Sequence, residues 1–208
     1  MTKIYNINEQ SGRSMVEMLG VLAIVGVLSI GGIAGYSKAM AKYKINKTLD
    51  QISLIVTNIR TAFGNQQSYK GLTTTTAISY ELVGNDLTLG SSTSLTNAFN
   101  GKVTIEAGST TGGACTGTGA SDYCPTFSIT YEGLDQITCG TIAAADWGGT
   151  ASSGLYSIKI TPASGSAKTH TWTKTGDESL PLEFFTAMTQ CVDIRKQSKG
   201  NSITWVYF

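Results

Sequence analysis

Two helical patterns follow one another along the chain, and a region of short alternating runs comes after them. Residues 1–13 are polar, and behind them residues 18–36 run for 19 positions without a charged side chain. An apolar run of about 18 residues or more is long enough to cross a bilayer as a helix. Glu17 is the one acid at its N-terminal edge, set between Val16 and Met18. After Tyr36 the pattern changes without a break. Leu49, Ile52, Val56, Ile59 and Phe63 recur at spacings of three and four, with Lys44, Lys47, Gln51, Asn58 and Arg60 between them. That is the period of a helix apolar on one face. The first proline is Pro125, so nothing in this stretch obliges a helix to stop. The pattern predicts one helix from Ser14 to about Gly64 or Asn65, apolar all round in its first half and amphipathic in its second.

The remainder predicts strands. Residues 65–125 are rich in Thr, Ser and Gly and show only short candidate strands near 80–83 and 103–106. Phe127, Ile129 and Tyr131 then alternate with Ser128, Thr130 and Glu132, the mark of a half-buried strand. Residues 133–145 fit a short helix carrying Cys139. Tyr156, Ile158 and Ile160 alternate again, and residues 170–174 pair back as a hairpin. Pro181 suits the first turn of a helix ending near Cys191 or Ile194, and residues 203–208 form a last strand. A helix first and strands after give an α+β layer.

Composition narrows the function. The 208 residues suffice for one globular domain and an extended segment. A formal charge of +1 gives no field to draw nucleic acid, which is not expected as a specific partner. Charged residues make up 14%, well below the usual quarter or so, and Gly, Ser and Thr take their place, as suits an exposed surface layer. The four cysteines, Cys115, Cys124, Cys139 and Cys191, lie in the second half and form no C-x-x-C pair. With His170 the only histidine, they read as two disulfides rather than a metal site, and no cofactor is expected. Residues 108–119 lack the Lys-Ser/Thr of a phosphate loop and read as a plain loop. His170 reads as a surface residue. Asp135, Asp146, Asp177, Glu178 and Glu183 show no paired spacing for acid–base chemistry, so no enzyme is expected.

Three readings of the apolar run compete: a plain anchor, a signal peptide with Ala39-Met40-Ala41 as its cleavage site, and an assembly helix. Against the signal peptide stand the length of the run, Glu17 inside it and the amphipathic helix running through the supposed cut. An ionisable group at the edge of a membrane span costs a few kcal/mol unless paired or near an interface. Position alone leaves Glu17 either an interfacial acid or a reserved partner for a cation on another subunit.

Gly12-Arg13-Ser14-Met15-Val16-Glu17, followed by the apolar run, resembles the prepilin cleavage motif of the type IV pilins. The resemblance implies that prepilin peptidase cuts between Gly12 and Arg13 and N-methylates Arg13. Glu17 is then the fifth mature residue, whose carboxylate meets a neighbour's terminal amine during assembly. The late pair Cys139 and Cys191 resembles the disulfide closing the C-terminal region of pilins, which leaves Cys115 and Cys124 to bracket a short Gly-rich loop as the second pair. The long leader and chain look closest to the type IVb branch, which includes toxin-coregulated pilin.

The implied organisation is a leader at 1–12, a transmembrane and polymerisation helix at 13–36, an amphipathic helix at 37–65 and a globular head at 66–208. The implied fold is a long N-terminal helix packed on an antiparallel sheet with a disulfide-pinned C-terminal region. The implied function is that of a structural subunit, held in the inner membrane by one span and met there by an assembly platform. It then polymerises with its own kind into an extracellular fibre for adhesion, aggregation, motility or transfer of DNA or protein.

The chain departs from the family pattern in three places. Arg13 stands where a hydrophobic residue is usual. Gly31, Gly32 and Gly35 occupy the region where a proline often weakens the helix, and are expected to melt locally in the fibre. Lys38, Lys42, Lys44 and Lys47 follow the span, where the positive-inside rule would hold them in the cytoplasm, so orientation rests on the resemblance. A pseudopilin of a type II secretion system and a periplasmic domain on a plain anchor remain as alternatives.

Overall fold

The computed structural model describes residues 15–88, 91–108, 115, 123–148, 153–172, 178–193 and 199–208. The first element, α1, is a single 49-residue helix, Met15–Phe63. It belongs to two units, one reaching Tyr43 and the other Lys44–Phe208. All its buried residues (Thr48, Gln51, Ile52, Ile55, Val56 and Ile59) lie in the second unit, the head.

The head is built on an antiparallel sheet. After two short helices, α2 (Thr74–Ser79) and α3 (Asn85–Thr88), come β1 (Leu95–Thr96), β2 (Lys102–Gly108) and β3 (Thr126–Leu134). Then follow α4 (Gln136–Ala143), β4 (Leu155–Thr161), β5 (Lys168–Thr171), α5 (Phe184–Gln190) and β6 (Asn201–Tyr207). The strand order is β1-β2-β3-β6-β4-β5, so the last strand of the chain is inserted between β3 and β4. It pairs antiparallel with both, Ile129 and Ile158 each standing opposite Trp205.

Alternation builds the core. Val103 and Ile105 of β2, Phe127, Ile129 and Tyr131 of β3, and Ile203 and Trp205 of β6 are fully buried, together with Ile52, Ile55 and Ile59 of α1. The intervening positions are hydroxyls and charges, with Thr130 and Thr204 hydrogen-bonded side chain to side chain across the strands at 2.8 Å. Burying a side chain such as Ile or Phe stabilises by about 1.5–3 kcal/mol, so one face of alternation is enough to hold sheet and helix together.

Polar contacts tie the second half of α1 into the head. Asp86 Oδ2 forms an ion pair with Lys47 Nζ at 2.9 Å and accepts from Gln51 Nε2. Burial alone would raise the Asp86 pKa. The hydrogen bonds from Lys47 and Gln51 and the Lys47 charge outweigh burial and hold the carboxyl below its ordinary range. One turn before the helix ends, Arg60 donates to Ser153 O at 2.9 Å and lies 5.2 Å over the Tyr207 ring.

Several expectations are corrected. Residues 80–83 form no strand. Thr73 caps α2 through a reciprocal pair of hydrogen bonds with Thr76, and Tyr80 is the residue that closes that helix. Threonine reads as a strand or loop former, and only its capping geometry reveals the helix. Pro181 is not in the first turn of α5. It follows a cis Leu180–Pro181 bond and precedes the N-cap Glu183 by two residues. Gln51 lies on the buried face of α1, where Asp86 satisfies its amide nitrogen, and Ile55 joins that face too. In β4 a register shift between Leu155 and Ser157 turns Leu155 inward, while Tyr156 is only half-buried and packs against Phe208. His170 is fully buried, with Nε2 2.7 Å from Gln190 Oε1 of α5, because β5 carries it under that helix.

Candidate assembly surface

The stretch 15–39 of α1 is exposed at every position. Its large apolar side chains, from Met15 through Val25 and Leu28 to Tyr36, are between 51% and 85% exposed. A folded monomer in water rarely shows more than a few hundred Å² of contiguous apolar surface. A helix apolar all round therefore needs lipid or other helices as its environment.

Local chemistry suits that environment. Ser29 donates to Val25 O at 2.7 Å and Ser37 to Ile33 O at 3.0 Å, so both hydroxyls are satisfied within the helix. Gly20, Gly26, Gly31, Gly32 and Gly35 have open space where a side chain would stand. Gly31 and Gly35 are four residues apart and share a face, a notch where another helix backbone can approach closely. That spacing was readable in the sequence, although the glycines first draw notice as helix breakers.

Glu17 lies in the first turn of the described part of α1 and is exposed. Gly12 and Arg13 lie outside the described residues.

The structure pairs the cysteines as Cys139–Cys191 and Cys115–Cys124. The first joins α4 to the residue that closes α5 and is buried at both ends. The helices it links are in close contact: a Cβ on Gly140 would stand 2.4 Å from Met188 Sδ. Asp135 caps α4 by accepting from Thr138 N at 2.9 Å, and so is committed to structure. Among the described residues no group of three His, Cys, Asp or Glu side chains is placed to hold a metal.

An exposed apolar helix that runs on into a helix packed on an antiparallel sheet, with a disulfide closing the C-terminal region, defines the pilin architecture. The PilS N-terminal family matches residues 42–206, and the chain belongs to that family of type IV pilins. Its fold is similar to the crystal structure of a type IVb pilin from Salmonella typhi, with a TM-score of 0.51 at 18% identity over 77% of this chain and 97% of that one. It is also similar to the major structural subunit of the bundle-forming pilus of Escherichia coli O127:H6 (strain E2348/69 / EPEC), 21% identical over 99% of this chain and 98% of the relative. The corresponding subunit from Escherichia coli O111:H- is 23% identical over 77% and 76%.

Proposed function

We propose that the chain is a structural subunit of a type IV pilus, cut by prepilin peptidase after Gly12, N-methylated at Arg13 and held in the inner membrane by its single apolar span. An assembly platform then draws it into an extracellular fibre whose core is a bundle of the α1 helices. The observation that carries this reading is the wholly exposed apolar helix on a head whose core is complete without it. The full-length likeness to a pilus subunit favours a pilus over a secretion pseudopilus or a plain anchor. Lipid is as apolar as leucine, so association of the spans depends on close packing, for which the Gly31–Gly35 notch is suited.

The mature N-terminus tests the processing. Intact mass of protein from cells bearing the assembly system should show a chain beginning at Arg13, with or without a methyl group. A chain starting at Met1 or near Lys42 would sink the pilin reading. Glu17 tests the assembly. Removing its charge makes insertion into an apolar phase easier, and the head folds without it. In the fibre its carboxylate meets the terminal ammonium of the next subunit, a pair that sets register more than it adds stability, because desolvation offsets much of the attraction. Glu17→Ala should therefore accumulate as processed, membrane-held monomer with few fibres, as counted by electron microscopy and shearing. Normal fibre numbers in that variant would reduce Glu17 to an interfacial acid.

A further inference from the structure

The two lysines directly behind the apolar run take no part in the fold. Lys38 and Lys42 are one helical turn apart, both exposed, and have no partner among the described residues. The next two lysines do have partners: Lys44 Nζ lies 5.8 Å over the Phe99 ring, and Lys47 pairs with Asp86. No acid occurs between Glu17 and Asp50, so nothing on the helix offsets Lys38 and Lys42. Tyr36 and Tyr43 bracket the pair and are 66% and 59% exposed. Seven residues apart, the tyrosines share one face, and the lysines point roughly 130° round the helix from them.

Dimensions place this group at one level. Residues 18–36 extend about 28 Å along the helix axis, close to the roughly 30 Å of hydrocarbon in a bilayer. The next two turns, from Tyr36 to Tyr43, cover about 10 Å and fall at headgroup depth. Tyrosine rings settle at that level, with the ring against the chains and the hydroxyl in water. Lysine stems lie along the apolar surface and deliver the ammonium to the phosphates.

We propose that Tyr36, Lys38, Lys42 and Tyr43 form a headgroup-binding band that holds anionic phospholipid on the face of the membrane where the head resides. The proposal rests on the membrane-staged pilin reading given above. Two ammonium groups on one helix face complement adjacent phosphates bearing net negative charge. A zwitterionic headgroup offers the same phosphate with its charge already neutralised. The band fixes the depth of the helix before assembly, and a subunit drawn into a fibre has to release its lipid.

The test uses the full-length chain and a Lys38→Gln/Lys42→Gln variant, reconstituted in phosphatidylcholine vesicles with and without phosphatidylglycerol. Flotation comes first, then gentle detergent extraction and native mass spectrometry to count co-bound lipid. Both proteins should float. The unaltered chain should retain phosphatidylglycerol over phosphatidylcholine, and the double variant should retain at least about tenfold less, since each lysine near an anionic surface contributes severalfold to binding. Lys38→Arg/Lys42→Arg should restore retention, and raised salt should weaken it. Equal phosphatidylglycerol retention by the unaltered and glutamine chains overturns the proposal. So does a loss confined to self-association, which would make a second copy the occupant. Failure of both proteins to float would instead sink the membrane-staged reading on which the band rests.

Discussion

Asn201 ties several segments of the head together. It is fully buried, and its side-chain amide serves backbone groups from three directions. Nδ2 donates to Leu134 O at 3.0 Å and Val192 O at 2.9 Å, while Oδ1 accepts from Ala163 N at 3.1 Å and Val192 N at 3.0 Å. The start of β6 is thereby tied to the end of β3, the β4–β5 turn and the segment after α5. Removing the amide leaves buried backbone groups without partners, each costing about 1–3 kcal/mol. Asn201→Ala should therefore lower the head's stability by about 3 kcal/mol or more in urea unfolding. Asn201→Asp should also destabilise, because Leu134 O and Val192 O both need a donor. A loss below about 1 kcal/mol in the alanine variant would show that water replaces the amide without cost. Nothing in the sequence marks this role. Asparagine beside glycine reads as a turn, and its partners lie up to 67 residues away. Glu17 is the opposite case, since the reading proposed for it rests on its sequence neighbours.

At the scale of the element, α1 was almost wholly legible. Both its halves follow from periodicity, and its C-terminal end falls within two residues of the expected one. Of the short helices, α4 and α5 were legible with looser bounds, whereas α2 and α3 were not, because α2 depends on a threonine pair reaching across its first turn. The glycines Gly31, Gly32 and Gly35 set the element-scale prediction. Each costs about 1 kcal/mol relative to alanine inside a helix, yet α1 is helical through all three. In lipid the helix has no alternative, since an unpaired backbone group there costs several kcal/mol. In a fibre, neighbouring chains can satisfy those groups, and residues 30–35 are expected to melt. A density map of the fibre should show a break there that closes in the Gly31→Ala/Gly32→Ala/Gly35→Ala variant. Continuous helix through 30–35 in the unaltered fibre would dispose of the idea.

For the whole molecule, the two disulfides differ in what they enclose. Cys139–Cys191 closes a separation of 52 residues and Cys115–Cys124 one of 9. By loop-closure entropy the larger contributes about 4 kcal/mol and the smaller about 2.5 kcal/mol. The larger one also holds α4 against α5. Replacing Cys139 and Cys191 with alanine should lower the urea midpoint more than replacing Cys115 and Cys124, as judged by circular dichroism on the oxidised heads. The reverse order would mean that strain or unfolded-state structure, rather than loop size, governs the pair. Placement of β6 between β3 and β4 belongs to this scale as well. The strand was legible as a terminal apolar run, but its neighbours were not, because pairing partners 74 residues apart leave no local signal.

What the sequence alone determined is whatever repeats at short range. That includes the apolar span, the amphipathic face that follows it and the alternation of β3 and of Ile158 and Ile160 in β4. Periodicity encodes which side of an element is apolar, and that requires no knowledge of what covers it. Tertiary structure alone decided what covers it. It put Gln51 under α1 against Asp86, carried His170 beneath α5, turned Leu155 inward at a register shift and made Asn201 a junction of three segments. Each is a polar or irregular position whose burial is tolerable only because a partner distant in sequence meets it, and no local pattern specifies such a partner.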